Sequence, residues 1–177
     1  MLRKLKDHVS TPMLVSAYYA FFNCHLMYGI TLWGNSSTVH RVFVWQKKAL
    51  RIIKSIPNRE SCLPVFKELN IMTLPSLYIF CCLVSVKECL SKFIVRQEIH
   101  SINTRNNYLL EQLPVRLAKS KRSHMFMKIK LFNKLPQEAW AVTLNKFKTV
   151  LRTWLKAKAF YSVDDYFACD VSTLSFI

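Results

Sequence analysis

Adjacent carboxylates near the end of the chain, Asp164 and Asp165, are the clearest candidates for catalysis, because paired aspartates can hold metal ions for phosphoryl transfer. Such a catalytic pair is expected at a turn between apolar strands, whereas this pair follows the pattern of a basic amphipathic helix. Ser162 stands three residues before Asp165, which is the spacing of a helix capping box. We therefore predict that Asp165 caps a short helix and that the chain by itself has no catalytic residues.

The six cysteines are the next candidates for chemistry. Cys24 and His25 are adjacent, so on a helix they point to different faces, and Cys81, Cys82 and Cys89 lack a histidine at zinc-ligand spacing. No CxxC pair, GxSxG motif or phosphate-binding glycine loop occurs, although a catalytic triad assembled by folding stays open. We predict reduced, buried thiols in an intracellular protein, nuclear or cytoplasmic, with no metal and no cofactor.

Charge is the strongest signal in the composition. The chain has 26 Lys and Arg residues against 10 Asp and Glu residues, which gives a net charge of +16. Acidic residues do not occur at all in residues 8–59 or 112–137. This excess indicates a polyanionic partner, with nucleic acid as the first choice and an acidic membrane surface as the second.

Three groups of cations are candidates for contacting phosphates, because phosphate contact requires charge of one sign. They are Arg41, Lys47, Lys48, Arg51 and Lys54; Lys119, Lys121, Arg122 and Lys128; and Lys148 and Arg152. In the first group we expect no carboxylate to neutralise the charge, because its own segment contains none. A solvated helix face is the alternative interpretation of each group.

Aromatic side chains could add base stacking to such contacts. Trp33, Trp45 and Trp154, however, stand beside positions that face the core in the helix patterns. We therefore predict that these tryptophans pack inside the fold.

The elements that must position these residues are helices. The chain has only two glycines, and its apolar residues recur mainly with a period of about 3.6 residues. Both features predict an all-α, mostly helical fold. Helices are predicted over about 12–32, 38–56, 64–69, 73–93 and from 144 onward, with caps at Thr11, at Ser36 or Ser37, and at Thr143. Residues 119–136 have mixed periodicity, so a helix and one short hairpin near 119–135 are both open.

We divide the chain into three segments. Residues 1–95 are predicted to form a helical bundle, 96–142 a basic, loop-rich connection, and 143–177 a C-terminal amphipathic helix and tail. In the helix before Pro57, Phe43, Leu50 and Ile53 are expected on the buried face.

Two uncharged stretches, Val9–His40 and Leu69–Val86, approach the length of a membrane span. Polar residues and prolines interrupt both, so buried helices are the preferred interpretation and a membrane-associated helical protein is the alternative. The basic start is not followed by a compact apolar run with a cleavage site, so secretion is not predicted.

Five sequence blocks resemble one known family in the same order. They are "YYAFFNCHLMYGITLWGNSSTVHRVFVWQKKALRII", "LPVFKELNIMTLPSLYIF", "IHSINTRNN", "LFNKLP" and "FKTVLRTWLKAKAFYSVDDYF". Together they resemble the region after the polymerase domain of LINE-type, non-LTR retrotransposon reverse transcriptases, especially jockey-like elements. The similarity extends over residues 12–167.

The resemblance implies a thumb-like helical bundle and C-terminal region of an RNA-directed DNA polymerase. It implies RNA or an RNA–DNA hybrid as the partner, with the catalytic palm, which would bind Mg²⁺, as a second partner outside this chain. Residues 41–54 would then follow the primer–template backbone. If Met1 is a natural start, the chain is a truncated product or a non-functional structural remnant of a transposon gene. The block at His100, Asn103, Thr104 and Arg105 matches the family without an assigned role, and a hydrogen-bonded loop is its alternative.

Overall fold

The fold is all-α, as predicted. The computed structural model describes residues 1–99, 105–112, 114–117, 120, 123–171, 174 and 176. Within these ranges the only strand-like pairing is one isolated antiparallel bridge between Val95 and Leu110. The hairpin that the sequence left open near 119–135 does not form in the described part of that segment, where a helix begins at His124.

The helices follow one another with short connections. In chain order they are α1 (Leu2–Leu5), α2 (Thr11–Tyr18), α3 (Cys24–Met27), α4 (Ile30–Trp33), α5 (Val39–Lys54), α6 (Leu63–Glu68), α7 (Leu74–Glu88), α8 (Arg96–Ile99), α9 (His124–Phe132), α10 (Glu138–Ala141), α11 (Leu144–Lys158) and α12 (Val163–Ala168). A π-helical turn, Tyr19–Asn23, joins α2 to α3, and a 3₁₀ turn, Leu90–Lys92, follows α7.

The two glycines divide the first long helical stretch from α5. The sequence predicted a helix as far as Leu32, but the helix ends at Met27, and this prediction was wrong by one turn. Gly29 has φ +60°, a left-handed conformation that stops a helix and that glycine adopts without strain. Gly34 serves close packing instead, because a Cβ atom there would lie 2.4 Å from Cδ2 of Tyr78.

Helix α5 has the amphipathic arrangement that its sequence predicts. Phe43, Leu50 and Ile53 are buried on the face turned to α2 and α6. The helix starts one residue after Thr38, so neither Ser36 nor Ser37 is its cap. It ends at Lys54 because Ser55 is left-handed, with φ 57°, before Pro57 is reached.

Helix α7 is the centre of the fold. It packs against α4, α9, α11 and α12, and its side chains are buried on nearly every face. Its first turn is capped by Thr73, whose hydroxyl accepts a hydrogen bond from the Ser76 amide. Buried residues from Leu14 to Phe176 form one cluster around this helix. The cluster includes residues from all three predicted segments, and their division stays a prediction.

Gln46 connects three elements inside this core. Its amide nitrogen donates to the Tyr18 hydroxyl at 2.9 Å and to the Met72 carbonyl at 3.0 Å. Its carbonyl oxygen accepts from the Leu74 amide at 2.7 Å. The side chain is fully buried, so it fixes α5 to α2 and to the start of α7 with its main hydrogen-bonding groups satisfied.

The aspartate pair has the structural role that its spacing predicts. Ser162 accepts from the Asp165 amide at 3.0 Å, and the Asp165 carboxylate accepts from the Ser162 amide at 2.9 Å. This is a complete capping box at the start of α12. Thr143 is the residue before α11, as predicted, although its side chain makes no capping hydrogen bond.

All six cysteines are free thiols, but they are not all buried. Cys82 has no exposed surface, whereas Cys24 lies on the surface, so the prediction of buried thiols is wrong for Cys24. Burial raises the pKa of Cys81 to about 11 and that of Cys82 to about 12. Near neutral pH both thiols therefore stay protonated and unreactive.

We expect a thiol-alkylating reagent to modify Cys24 in the folded protein while Cys81 and Cys82 react only after denaturation. The reason is that the reagent needs both access and a thiolate: burial removes both at Cys82, and at half-buried Cys81 it restricts access and raises the pKa. Mass spectrometry of peptides after a timed reaction would measure the three rates. If Cys81 and Cys82 react at equal rates in the folded and the denatured protein, this packing of α7 is contradicted.

Candidate nucleic-acid interface

Four cations line one cleft between α1 and α5. Arg3 and Lys6 come from α1 and the residue after it, and Lys48 and Arg51 come from α5. The cleft has a volume of about 660 Å³. Among the described residues that line it, Asp7 carries the only negative charge. The cleft therefore brings four positive charges together with one negative charge.

Helix packing brings these cations together. Helix α1 lies against both α2 and α5, with Leu2 and Leu5 packed on the core. Arg3 stays exposed beside them and Lys6 is half-buried. On α5, Lys48 lies two turns after Arg41 on the solvent side of the helix. Arg3 and Lys6 are not among the cations that the sequence predicted, because their place beside α5 depends on how α1 packs.

Trp45 lies on the same side of α5, contrary to the prediction that it packs inside. Its side chain is 62% exposed, and the Lys48 ammonium lies 4.7 Å from the ring centre. The sequence did contain the signal for this position. Trp45 follows Arg41 by four residues and precedes Lys48 by three, so on a helix it belongs to the cationic face. The predictions hold for Trp154, which is buried, and in part for Trp33, which is half-buried.

Arg51 uses part of its guanidinium to hold the loop after α5. One terminal nitrogen donates to the Glu60 carbonyl at 2.9 Å. Its Nε is shielded from solvent and has no hydrogen-bond partner among the described residues. Because a guanidinium has five N–H donors, Arg51 can hold the loop and still offer a donor to an anion in the cleft.

The other cations of α5 are directed elsewhere. Lys47 lies over the rings of Phe43 and Tyr161, at 4.8 Å and 5.7 Å from their centres. Lys54 forms an ion pair with Glu68 of α6. The expectation that no carboxylate neutralises this group is therefore wrong for Lys54, because folding brings in an acid from a later helix. Arg41 is exposed but does not line the cleft.

Among the other predicted cations, the three that the structure describes do not line the cleft. Lys148 on α11 pairs with Glu88 at 2.6 Å, and the Arg152 guanidinium lies over the Phe80 ring at 5.2 Å. Lys128 is half-buried on α9. Three predicted site residues lie outside the described residues: Lys119, Lys121 and Arg122. The same is true of His100, Asn103 and Thr104, whereas Arg105 is described and exposed.

A second cavity, of about 590 Å³, lies beside the turn at Gly34. Its charged lining includes Lys130 and Asp164, which have opposite signs. His40 also lines it and contacts the Ser37 carbonyl at 3.3 Å. Because it does not collect charge of one sign, this cavity is a weaker candidate for a polyanion than the cleft.

The described residues contain no group of three or more His, Cys, Asp or Glu side chains that is arranged to hold a metal ion. No helix formed by these residues combines the length and the apolar character that a bilayer crossing requires.

Comparison with known proteins gives no relative for this chain. No protein-family model, no curated protein and no solved structure matches it. The resemblance to reverse transcriptases therefore stays a prediction from the sequence blocks.

Proposed function

We propose that this chain binds nucleic acid through its sugar–phosphate backbone, without sequence preference, at the cleft between α1 and α5. The observation that carries the proposal is the convergence of Arg3, Lys6, Lys48 and Arg51 on one concave surface with a single carboxylate. A surface of mixed positive and negative charge suffices for solubility, whereas a cleft lined mainly by positive charge suits phosphate groups. Lysine and arginine contacts of this kind fix the backbone and read little sequence.

The sequence blocks support RNA or an RNA–DNA hybrid as the natural partner. On this proposal the chain derives from the thumb and post-thumb region of a retrotransposon reverse transcriptase. It contributes binding, and the catalytic palm would be its second partner. The alternative, a structural remnant without a binding role, predicts no salt-sensitive affinity for nucleic acid.

We expect the affinity for an RNA–DNA hybrid to fall about 100-fold between about 50 and about 200 mM salt, because four phosphate contacts release about 3.6 counterions. Fluorescence anisotropy of a labelled hybrid at the two salt concentrations measures this loss. Hybrids of unrelated sequence should give the same affinities, since the contacts are to the backbone.

Two results would contradict the proposal. Affinity that does not change with salt would show that phosphate contacts do not dominate binding. Absence of binding at low salt, by a protein that is folded by circular dichroism, would favour the structural remnant.

A further inference from the structure

Beside the cationic cleft lies an apolar groove formed by α1, α5, α2 and the π-helical turn that follows α2. Its lining includes Phe21, Phe22, Trp45 and Ile52, and its volume is about 560 Å³. Phe21 is 60% exposed and Trp45 is 62% exposed, so two aromatic side chains meet solvent here. Exposed apolar surface in a groove that charged residues border is typical of a binding site.

The groove and the cleft are parts of one surface. Arg3, Trp45, Lys48 and Ile52 line both of them. Lys48 joins the two kinds of contact directly, since its ammonium faces the cleft while lying 4.7 Å from the Trp45 ring centre. A ligand that fills both parts must carry negative charge and a flat apolar group close together.

We infer that the groove takes an unpaired base while the cleft holds the adjacent phosphates, so that this site selects single-stranded over fully paired nucleic acid. The inference rests on the proposed function, because the phosphates place the base. Aromatic platforms beside a cationic groove are the usual means of binding single strands. In a duplex the faces of internal bases are stacked on each other and cannot reach Trp45.

Charge argues against a second copy of the chain as the occupant of this groove. The net charge is +16, and the groove itself is bordered by Arg3 and Lys48. A second copy would bring like charge to this border, whereas a nucleotide brings opposite charge. Because the groove adjoins the cleft, a nucleotide whose phosphate lies in the cleft brings its base next to the groove.

Binding to three labelled oligonucleotides of equal length tests the inference. They are a single-stranded DNA, the same strand with abasic sites in place of its bases, and a blunt RNA–DNA hybrid. We expect the abasic strand and the hybrid to bind roughly 10- to 100-fold more weakly than the intact strand, since stacking on an aromatic side chain strengthens binding by about that factor per base.

Trp45→Ala should weaken binding of the intact strand by the same factor and should leave the abasic strand unchanged. Tyr28→Ala is the matched control, because Tyr28 is 87% exposed and lines neither the groove nor the cleft. Thermal melting by circular dichroism checks that each variant is folded. Trp45→Phe keeps a stacking ring and should recover most of the lost affinity.

Different results would overturn the backbone-binding function and the base-binding inference. If all three oligonucleotides bind equally and with strong salt dependence, the backbone function stands and the base-binding inference is overturned. If none binds, or if salt has no effect, the proposed function is overturned together with the inference. Two results together would also overturn the base assignment. In these, an acidic peptide displaces the intact strand from wild-type protein only, and Trp45→Ala leaves the affinity for that strand unchanged.

Discussion

Replacing Gln46 with leucine will lower the free energy of unfolding by roughly 3–5 kcal/mol, because three groups lose their hydrogen-bond partner at once. The Tyr18 hydroxyl, the Met72 carbonyl and the Leu74 amide all bond to this one side chain. A leucine fills similar space without offering a donor or an acceptor. Chemical denaturation followed by circular dichroism measures the loss.

Two further variants separate hydrogen bonding from general packing. Tyr18→Phe removes one hydroxyl and should cost about 1 kcal/mol. Gln97→Leu makes the same replacement at an exposed position of α8 and should change stability by less than about 0.5 kcal/mol. If Gln46→Leu costs no more than Gln97→Leu, Gln46 does not hold α2, α5 and α7 together.

Replacing Gly34 with alanine will cost about 3 kcal/mol, because the added methyl group has no space. Its Cβ would lie 2.4 Å from Cδ2 of Tyr78 and 2.6 Å from the Ile30 carbonyl oxygen. One of these neighbours is backbone, so the overlap cannot be relieved by a rotamer change alone. Thermal or chemical denaturation gives the size of the effect.

Gly29→Ala is the matched control for this substitution. The nearest atom to a Cβ there is 3.9 Å away, but φ is +60°, so the cost is conformational and about 1 kcal/mol. In a double-mutant cycle, Tyr78→Leu should reduce the cost of Gly34→Ala, since the ring is one of its two obstacles. Equal costs at Gly29 and Gly34, with no coupling to Tyr78, would contradict the close packing of the turn on α7.

The helices that the sequence predicted well are those with local signals. Helices α5 and α11 and the start of α7 show apolar periodicity or a cap residue followed by a long apolar run, and these signals do not depend on distant contacts. The predicted end of α7 near Phe93 was wrong, because the helix ends at Glu88. The end of the first helical stretch could not be predicted in this way. A glycine in a helical pattern fits both a helix interior and a left-handed stop such as Gly29, and the close packing of Gly34 depends on Tyr78 of α7, far away in the sequence.

Local pattern was also insufficient between residues 119 and 136. The mixed periodicity there fits a helix or a hairpin, and the structure has α9 because Met127, Leu131 and Phe132 are buried where that helix packs on α7. Contacts far apart in sequence decided the outcome.

Some residues of the cleft could be predicted from the local sequence, and others depend on contacts between distant segments. Lys48 and Arg51 could be selected from α5 alone, because they recur on a helical face without nearby acids. Arg3 and Lys6 could not be assigned to the same surface, since that depends on how α1 packs against α5. The neutralising role of Glu68 toward Lys54 depends likewise on the fold.

The most direct test of the cationic cleft is the slope of log affinity against log salt concentration for an RNA–DNA hybrid. Arg3→Ala, Lys6→Ala and Lys48→Ala are combined in one variant that leaves Arg51 to hold its loop. The control variant removes three exposed lysines that do not line the cleft: Lys67, Lys92 and Lys158. With four phosphate contacts the wild-type slope should be about −3.6, and the cleft variant should reduce its magnitude by about 2.7 while the control leaves it unchanged. An unchanged slope in the cleft variant, or an equal reduction in both variants, would contradict the assignment of nucleic-acid binding to this cleft.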